Sequence, residues 1–276
     1  MKNLRIIDQA VQNKGQVIGL PTGFKQLDEK TSGLQPSDLI IVAARPGMGK
    51  TAFALNIAQQ SAVKAGASVL IFSLEMSQEQ LGQRLIAMQA RVESEKLKKG
   101  TLDLKDWDRI NFALNELNNT KIVIDDTPGI SIMEMRNKCR RLKAEQGLDL
   151  IVVDYLQLMT FDGRADSRQQ EISALSRHLK LLAREMNCPV IVLSQLSRAP
   201  ELRQDKRPML SDLRESGSIE QDADIVMFLY RDDYYNENTE KPGVCEINIA
   251  KHRSGPTDRI DLTWVARYTK FSDKAL

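Results

Sequence analysis

The chain has 276 residues, 39 of them basic and 37 acidic, for a formal net charge of +2, a balance that neither demands nor excludes a polyanionic partner. Its three cysteines, Cys139, Cys188 and Cys245, lie far apart with no CxxC and only His178 and His252 as histidines, which excludes a disulfide framework or a zinc site and points to reduced thiols. No apolar run reaches the roughly 18 residues that span a membrane and the N-terminus has no signal-peptide core, so a soluble cytoplasmic protein is expected.

Residues 1–18 read as a linker or helical arm, because Leu4, Ile7 and Val11 form one thin apolar stripe, and residues 19–276 read as a single domain. The apolar run 39–43 has the character of a buried strand. It leads into Ala44-Arg45-Pro46-Gly47-Met48-Gly49-Lys50-Thr51 and then a helical stretch from Ala52. Strand, glycine-bearing loop and helix, with Lys-Thr at the junction, is the layout of a phosphate-binding P-loop. Backbone N–H groups and the helix dipole favour an anion there, and the two glycines let backbone approach it. Lys50 would reach the β- and γ-phosphates and the Thr51 hydroxyl would hold Mg²⁺. The usual first glycine of the pattern is Ala44 here, so a glycine-rich turn before a helix stays open as the plain alternative.

Further apolar runs follow at 68–72, 122–124, 150–153, 190–193 and 225–229, and their continuous β-branched character suits strands buried on both faces of a parallel sheet. Between them, Ile132, Met135, Cys139 and Leu142, and then Ile172, Leu175, Leu179, Leu182 and Met186, step by three and four as amphipathic helices do. Alternating strand and helix predict an α/β fold with helices on both faces of the sheet. Beyond Tyr230, the stretches 244–249 and 259–264 alternate with a period of two, which predicts an antiparallel pair closing one edge.

Ligands in such sheets bind outside the carboxyl ends of the strands. Three strands end there in polar residues: Glu75 after Ser73-Leu74, Asp154, and Gln195 after Ser194. Asp154 fits a carboxylate that positions Mg²⁺ with Thr51, Glu75 a group that polarises the attacking water, and Gln195 a hydrogen-bonding partner of the γ-phosphate. Singly, each also fits a helix cap or a surface group. Two long polar segments leave the same ends, 160–168 and 197–218, and read as functional loops coupled to the phosphate or as solvent-facing insertions. Arg136, Lys138, Arg140, Arg141 and Lys143 lie opposite the apolar stripe of their helix and read as a solvated face.

The strings Phe72-Ser73-Leu74-Glu75-Met76, Asp154-Tyr155-Leu156-Gln157-Leu158 and Leu193-Ser194-Gln195-Leu196-Ser197-Arg198 resemble motifs of the bacterial replicative hexameric helicases, the DnaB family. So do Ser211-Asp212-Leu213-Arg214-Glu215-Ser216-Gly217-Ser218-Ile219-Glu220-Gln221 and Lys251-His252-Arg253-Ser254-Gly255-Pro256, and the resemblance runs from about Leu20 to Phe271. It implies a RecA-like P-loop NTPase core, six copies of which ring single-stranded DNA and translocate 5′ to 3′ on ATP and Mg²⁺. It implies Glu75 as catalytic base, Gln195 as γ-phosphate sensor, and Lys251 and Arg253 as fingers into the neighbouring subunit's ATP site. Arg214, Glu215 and Gly217 match a loop that holds the DNA backbone. P-loops of this family commonly lack the first glycine, as Ala44 does. Relatives carry an N-terminal collar that engages primase, and a loader places the ring on DNA. The chain starts near the linker to that collar and reads as the motor domain alone. A recombinase-type or clock-type RecA-like ATPase and an ATP-switched scaffold are the competing readings.

Overall fold

The computed structural model describes residues 17–274, except 162 and 164, and only the backbone of 214–218. The stripe Leu4, Ile7 and Val11 therefore lies outside the described residues.

A nine-stranded sheet organises the domain in the order β3-β2-β4-β5-β1-β6-β7-β8-β9. Five strands run parallel with β1 (Leu39–Ala44): β2 (Ser68–Ser73), β3 (Lys121–Asp125), β4 (Leu150–Asp154), β5 (Val190–Gln195) and β6 (Ile225–Tyr230). All the expected strand runs are present. Each residue of β1, β2, β4 and β6 is buried, as a strand covered on both faces requires, whereas β3 sits at the edge and is half-exposed.

The pleat sorts β1 onto two cores. Ile40, Val42 and Ala44 face α2 (Lys50–Ala65) through Phe53 and Ile57; Leu39, Ile41 and Ala43 face the helices α6 (Ile132–Gln146) and α7 (Arg168–Met186). Between β2 and β3 lie α3 (Gln78–Ala90), α4 (Ser94–Lys99) and α5 (Leu104–Asn118), which close a small satellite core around Val92, Ile110 and Ala113. The short α1 (Lys25–Thr31) precedes β1 and α8 (Gly217–Asp222) precedes β6.

The antiparallel edge holds three strands rather than the expected two. β7 (Val244–His252) and β8 (Asp258–Val265) form the anticipated pair, and β9 (Lys270–Asp273) adds the outermost strand. Phe271 of β9 stacks edge-on against Phe53 of α2 with ring centroids 5.6 Å apart, folding the edge back under the P-loop helix. The segment 197–218 also differs from a plain loop: it contains 3₁₀ turns at Ala199–Leu202 and Leu210–Ser216 and runs into α8. The basic face of α6 is not simply solvated. Arg136 and Arg140 both pair with Glu185 of α7, Lys138 pairs with Asp125 at 2.7 Å, and Lys143 donates to the Met186 carbonyl. Among the described residues no helix is long and apolar enough to cross a membrane.

Candidate nucleotide-binding site

Helix N-termini leave backbone N–H groups without partners inside the helix, and most proteins cover them with a side-chain cap. Here Ser77 caps α3, Asp103 α5, Ser131 α6 and Ser167 α7, each accepting from the backbone three residues on. Like the short α1 and α4, the long helix α2 has no such side-chain cap: its cap is Gly49, at φ 90°, with no side chain to offer. Gly47 also has positive φ, 81°, and a Cβ there would come within 2.7 Å of the Tyr234 ring. The loop is thus shaped to leave the α2 N-terminus open to an anion.

A cavity of about 310 Å³ lies over that N-terminus. Ala44, Arg45, Pro46, Gly47, Gly49, Lys50 and Thr51 line it from the loop, and Glu75 and Gln195 line it from the ends of β2 and β5. Strand register explains the convergence, since Ala44 is the Cα partner of Gln195, and Ser73, two residues before Glu75, is that of Asp154. The Met48 side chain is in the core and away from the cavity lining, and the Arg45 guanidinium is committed to Glu201 and to the Leu196 carbonyl.

Asp154 is set back beside Thr51, 2% exposed, and neither carboxylate oxygen has a hydrogen-bond partner. Burial pushes its pKa up; the nearby Thr51 hydroxyl, which stops short of normal hydrogen-bond geometry, and the Lys50 ammonium counter that rise. Burial pushes the Lys50 pKa down, against the pull of Asp154 and Glu75, and the ammonium rests 4.7 Å from the centre of the Tyr155 ring. An orphaned carboxylate next to a hydroxyl is a donor set suited to a hard divalent cation that keeps several waters and phosphate oxygens.

Sequence reasoning missed four lining residues: Ala52 in the first turn of α2, Arg84 of α3, Trp264 of β8 and Thr269 just before β9. Arg84 makes no ion pair or hydrogen bond among the described residues, and burial lowers its pKa while Asp154 and Glu75 attract it. Nothing in its local sequence distinguishes Arg84 from a surface arginine.

Lys251 and Arg253 lie at the other end of the sheet. Ile225, which opens β6, pairs with His252, and Ile40 near the start of β1 pairs with Ile225. The P-loop leaves the opposite end of β1, at Ala44, five residues from Leu39, which at the usual strand rise is roughly 16–17 Å. Lys251 Nζ donates to the carbonyls of Glu220 (2.6 Å), Gln221 (3.5 Å) and Ala223 (2.8 Å), closing the end of α8. Arg253 pairs with Asp224 at 3.2 Å and donates to the Gln221 carbonyl at 3.0 Å, with half its side chain exposed. The backbone of Arg214 and Glu215 lies in the 3₁₀ turn and Gly217 opens α8; the side chains at 214–218 lie outside the described residues.

The chain matches the family model described as DnaB-like helicase C-terminal domain over residues 19–273. It is 57% identical to replicative DNA helicase DnaC of Bacillus subtilis (strain 168) and 56% identical to replicative DNA helicase DnaB of Geobacillus stearothermophilus. Both matches cover 96% of this chain and 59% of the relative, so the chain spans about three fifths of their length. Among solved structures, an isolated ATPase domain superposes with a TM-score of 0.95 at 41% identity, covering 99% of this chain and 98% of that one. A DnaB-like replicative helicase studied for its interactions with primase superposes at 0.93, also 41% identical, with 99% of this chain and 66% of that one covered. These relatives favour the helicase reading over the recombinase-type or clock-type one. The chain belongs to the DnaB-like helicase C-terminal domain family.

Proposed function

We propose that this domain, residues 19–276, is the ATP-driven motor of a replicative helicase, hydrolysing ATP at subunit interfaces to translocate 5′ to 3′ on single-stranded DNA and unwind duplex. The observation that carries the reading is the electrostatic imbalance at one cavity: an uncapped helix N-terminus, Lys50 and Arg84 without ion pairs, and a buried orphan carboxylate at Asp154. A triphosphate with its cation satisfies all of them at once.

In this reading Gly47, Gly49 and the first turn of α2 cradle the phosphates, and Lys50 and Arg84 neutralise them. Thr51 and Asp154 hold Mg²⁺, which when bound withdraws charge from the β- and γ-phosphate oxygens. Glu75 accepts a proton from the attacking water, and Gln195 hydrogen-bonds the γ-phosphate. Arg253 acts on the next subunit's site, because its own P-loop is at the far end of the sheet. Arg214, Glu215 and Gly217 hold the DNA backbone. The proposed assembly is a cytoplasmic hexameric ring with single-stranded DNA in its channel, and primase and a helicase loader as further partners.

The test is ATP turnover with and without single-stranded DNA, run beside strand displacement from a 5′-tailed fork and native mass. Stimulation by single strands, displacement and a ring-sized mass are expected. A monomer whose turnover ignores DNA would sink the proposal.

A further inference from the structure

Arg45 is the second residue of the phosphate loop, yet its guanidinium is bound outside it. Nε donates to Glu201 Oε1 at 2.9 Å and Nη1 to the Leu196 carbonyl at 2.8 Å. The Arg45 side chain is 11% exposed and that of Glu201 36%, so the pair is partly shielded from water. Glu201 lies in the 3₁₀ turn Ala199–Leu202. Two residues on, Arg203 grips Asp212 with both terminal nitrogens, at 2.8 and 2.7 Å. Asp212 is 4% exposed, also accepts the Met209 N–H at 2.8 Å, and belongs to the same 3₁₀ turn as Arg214 and Glu215. Two bidentate or shielded ion pairs and a few residues of chain therefore join the P-loop to the segment proposed to hold DNA. Planar guanidinium–carboxylate pairs of this kind fix geometry as well as charge.

We propose that Glu201 is a positioning residue that ties the nucleotide state of the P-loop to the placement of the DNA-holding segment. The inference rests on the reading of the domain as a nucleotide-driven motor on single-stranded DNA. Its physical basis is competition for one donor. Arg45 lines the phosphate cavity, so an incoming triphosphate is a second, more highly charged acceptor for the guanidinium that Glu201 holds. A change in the Arg45–Glu201 pair moves the 3₁₀ turn, and the Arg203–Asp212 clamp carries that movement to the turn bearing Arg214. Because coupling between sites is reciprocal, DNA on that segment biases nucleotide binding by the same factor.

The experiment measures affinity for a fluorescent single-stranded oligonucleotide, with and without Mg²⁺ and a non-hydrolysable ATP analogue, in the parent and in Glu201→Ala. In the parent the analogue is expected to change DNA affinity by about 5- to 150-fold, the usual range of such couplings. In Glu201→Ala that ratio collapses towards one, while affinity for the analogue in the absence of DNA is not lowered and rises to the extent that the freed Arg45 guanidinium turns to the phosphates. Arg203→Ala, which breaks the second link, gives the same collapse, and Glu201→Gln supplies the test should Glu201→Ala fold poorly. A merely structural role would lower the separate affinities and leave their ratio intact. If the parent responds to the analogue and these variants respond equally, the positioning role is overturned and the motor reading stands. A parent with no affinity for single-stranded DNA overturns both.

Discussion

The two ends of β1 are built to opposite specifications. At its carboxyl end the charged groups are left unsatisfied: Asp154 without a hydrogen bond, Lys50 over an aromatic ring, α2 without a cap. At its amino end a comparable set is closed on itself. Asp224 accepts the Leu39 N–H at 2.8 Å and pairs with both Lys180 and Arg253, and Lys251 fills the last carbonyls of α8. An open set of charges costs stability and is kept where a ligand completes it; a closed set holds structure together. At this end the guanidinium of Arg253 is half-exposed. That side chain is accessible to a second site, and its own P-loop is out of reach.

The contrast is broken most severely at the open end. Lys50→Ala should nearly abolish turnover while leaving the fold intact, since the lost charge stabilises phosphate and not the core. Glu75→Ala should keep nucleotide affinity and lose about 10²- to 10⁴-fold in hydrolysis, the usual contribution of a general base. Parent-like hydrolysis by Glu75→Ala, read by phosphate release, would remove it from the role of base.

At the closed end the two basic residues should separate. Arg253→Ala should cost about 10³-fold in turnover with little change in melting temperature. Lys251→Ala should instead lower stability by about 1–2 kcal/mol, because it leaves the α8 carbonyls bare. Equal melting temperatures for the two variants in a thermal denaturation series would mean that Lys251 is not the structural member of the pair.

Asp154→Asn sharpens the same comparison in the other direction. Removing a buried, unpartnered carboxylate should stabilise the ligand-free fold by about 1–3 kcal/mol at pH values above its folded pKa while abolishing Mg²⁺-dependent hydrolysis. Burial raises the Asp154 pKa above its unfolded value, so the parent loses stability as pH climbs from the unfolded value through the folded one. The advantage of Asp154→Asn should therefore be full above the folded pKa and fade on acidification, which chemical denaturation across pH reads directly. The smallest expected effect is at Arg214→Ala: weaker binding to all single-stranded sequences alike, with a log–log salt slope shallower by about 0.7. Loss of affinity for one sequence alone, at an unchanged slope, would contradict a backbone contact.

Much of this architecture is legible in the chain itself. Strands 39–44, 68–73, 150–154, 190–195 and 225–230 are continuous apolar runs because helices cover both faces, and a run of that kind has few other homes. The P-loop announces itself because glycine, lysine and threonine are each needed at fixed spacing. What stays hidden is set by contacts distant in sequence. Arg45 looks like a phosphate ligand until Glu201, 156 residues on, is seen to hold it. Arg84 and Trp264 become cavity residues only when α3 and the antiparallel edge fold against the loop. Strand β9 is four residues long, too short for any periodicity, and it owes its place to Phe271 packing on Phe53.

The central claim, that each ATP site is shared between two copies of the chain, is tested most directly by mixing two inactive variants, Lys50→Ala and Arg253→Ala, under conditions that allow assembly. A subunit with an intact Lys50 beside one with an intact Arg253 rebuilds a complete site, and in a random ring this occurs at about one interface in four. Turnover should rise well above the sum of the two variants measured apart. Mixed oligomers verified by native mass, with turnover no greater than that sum, would contradict an arginine acting across the interface.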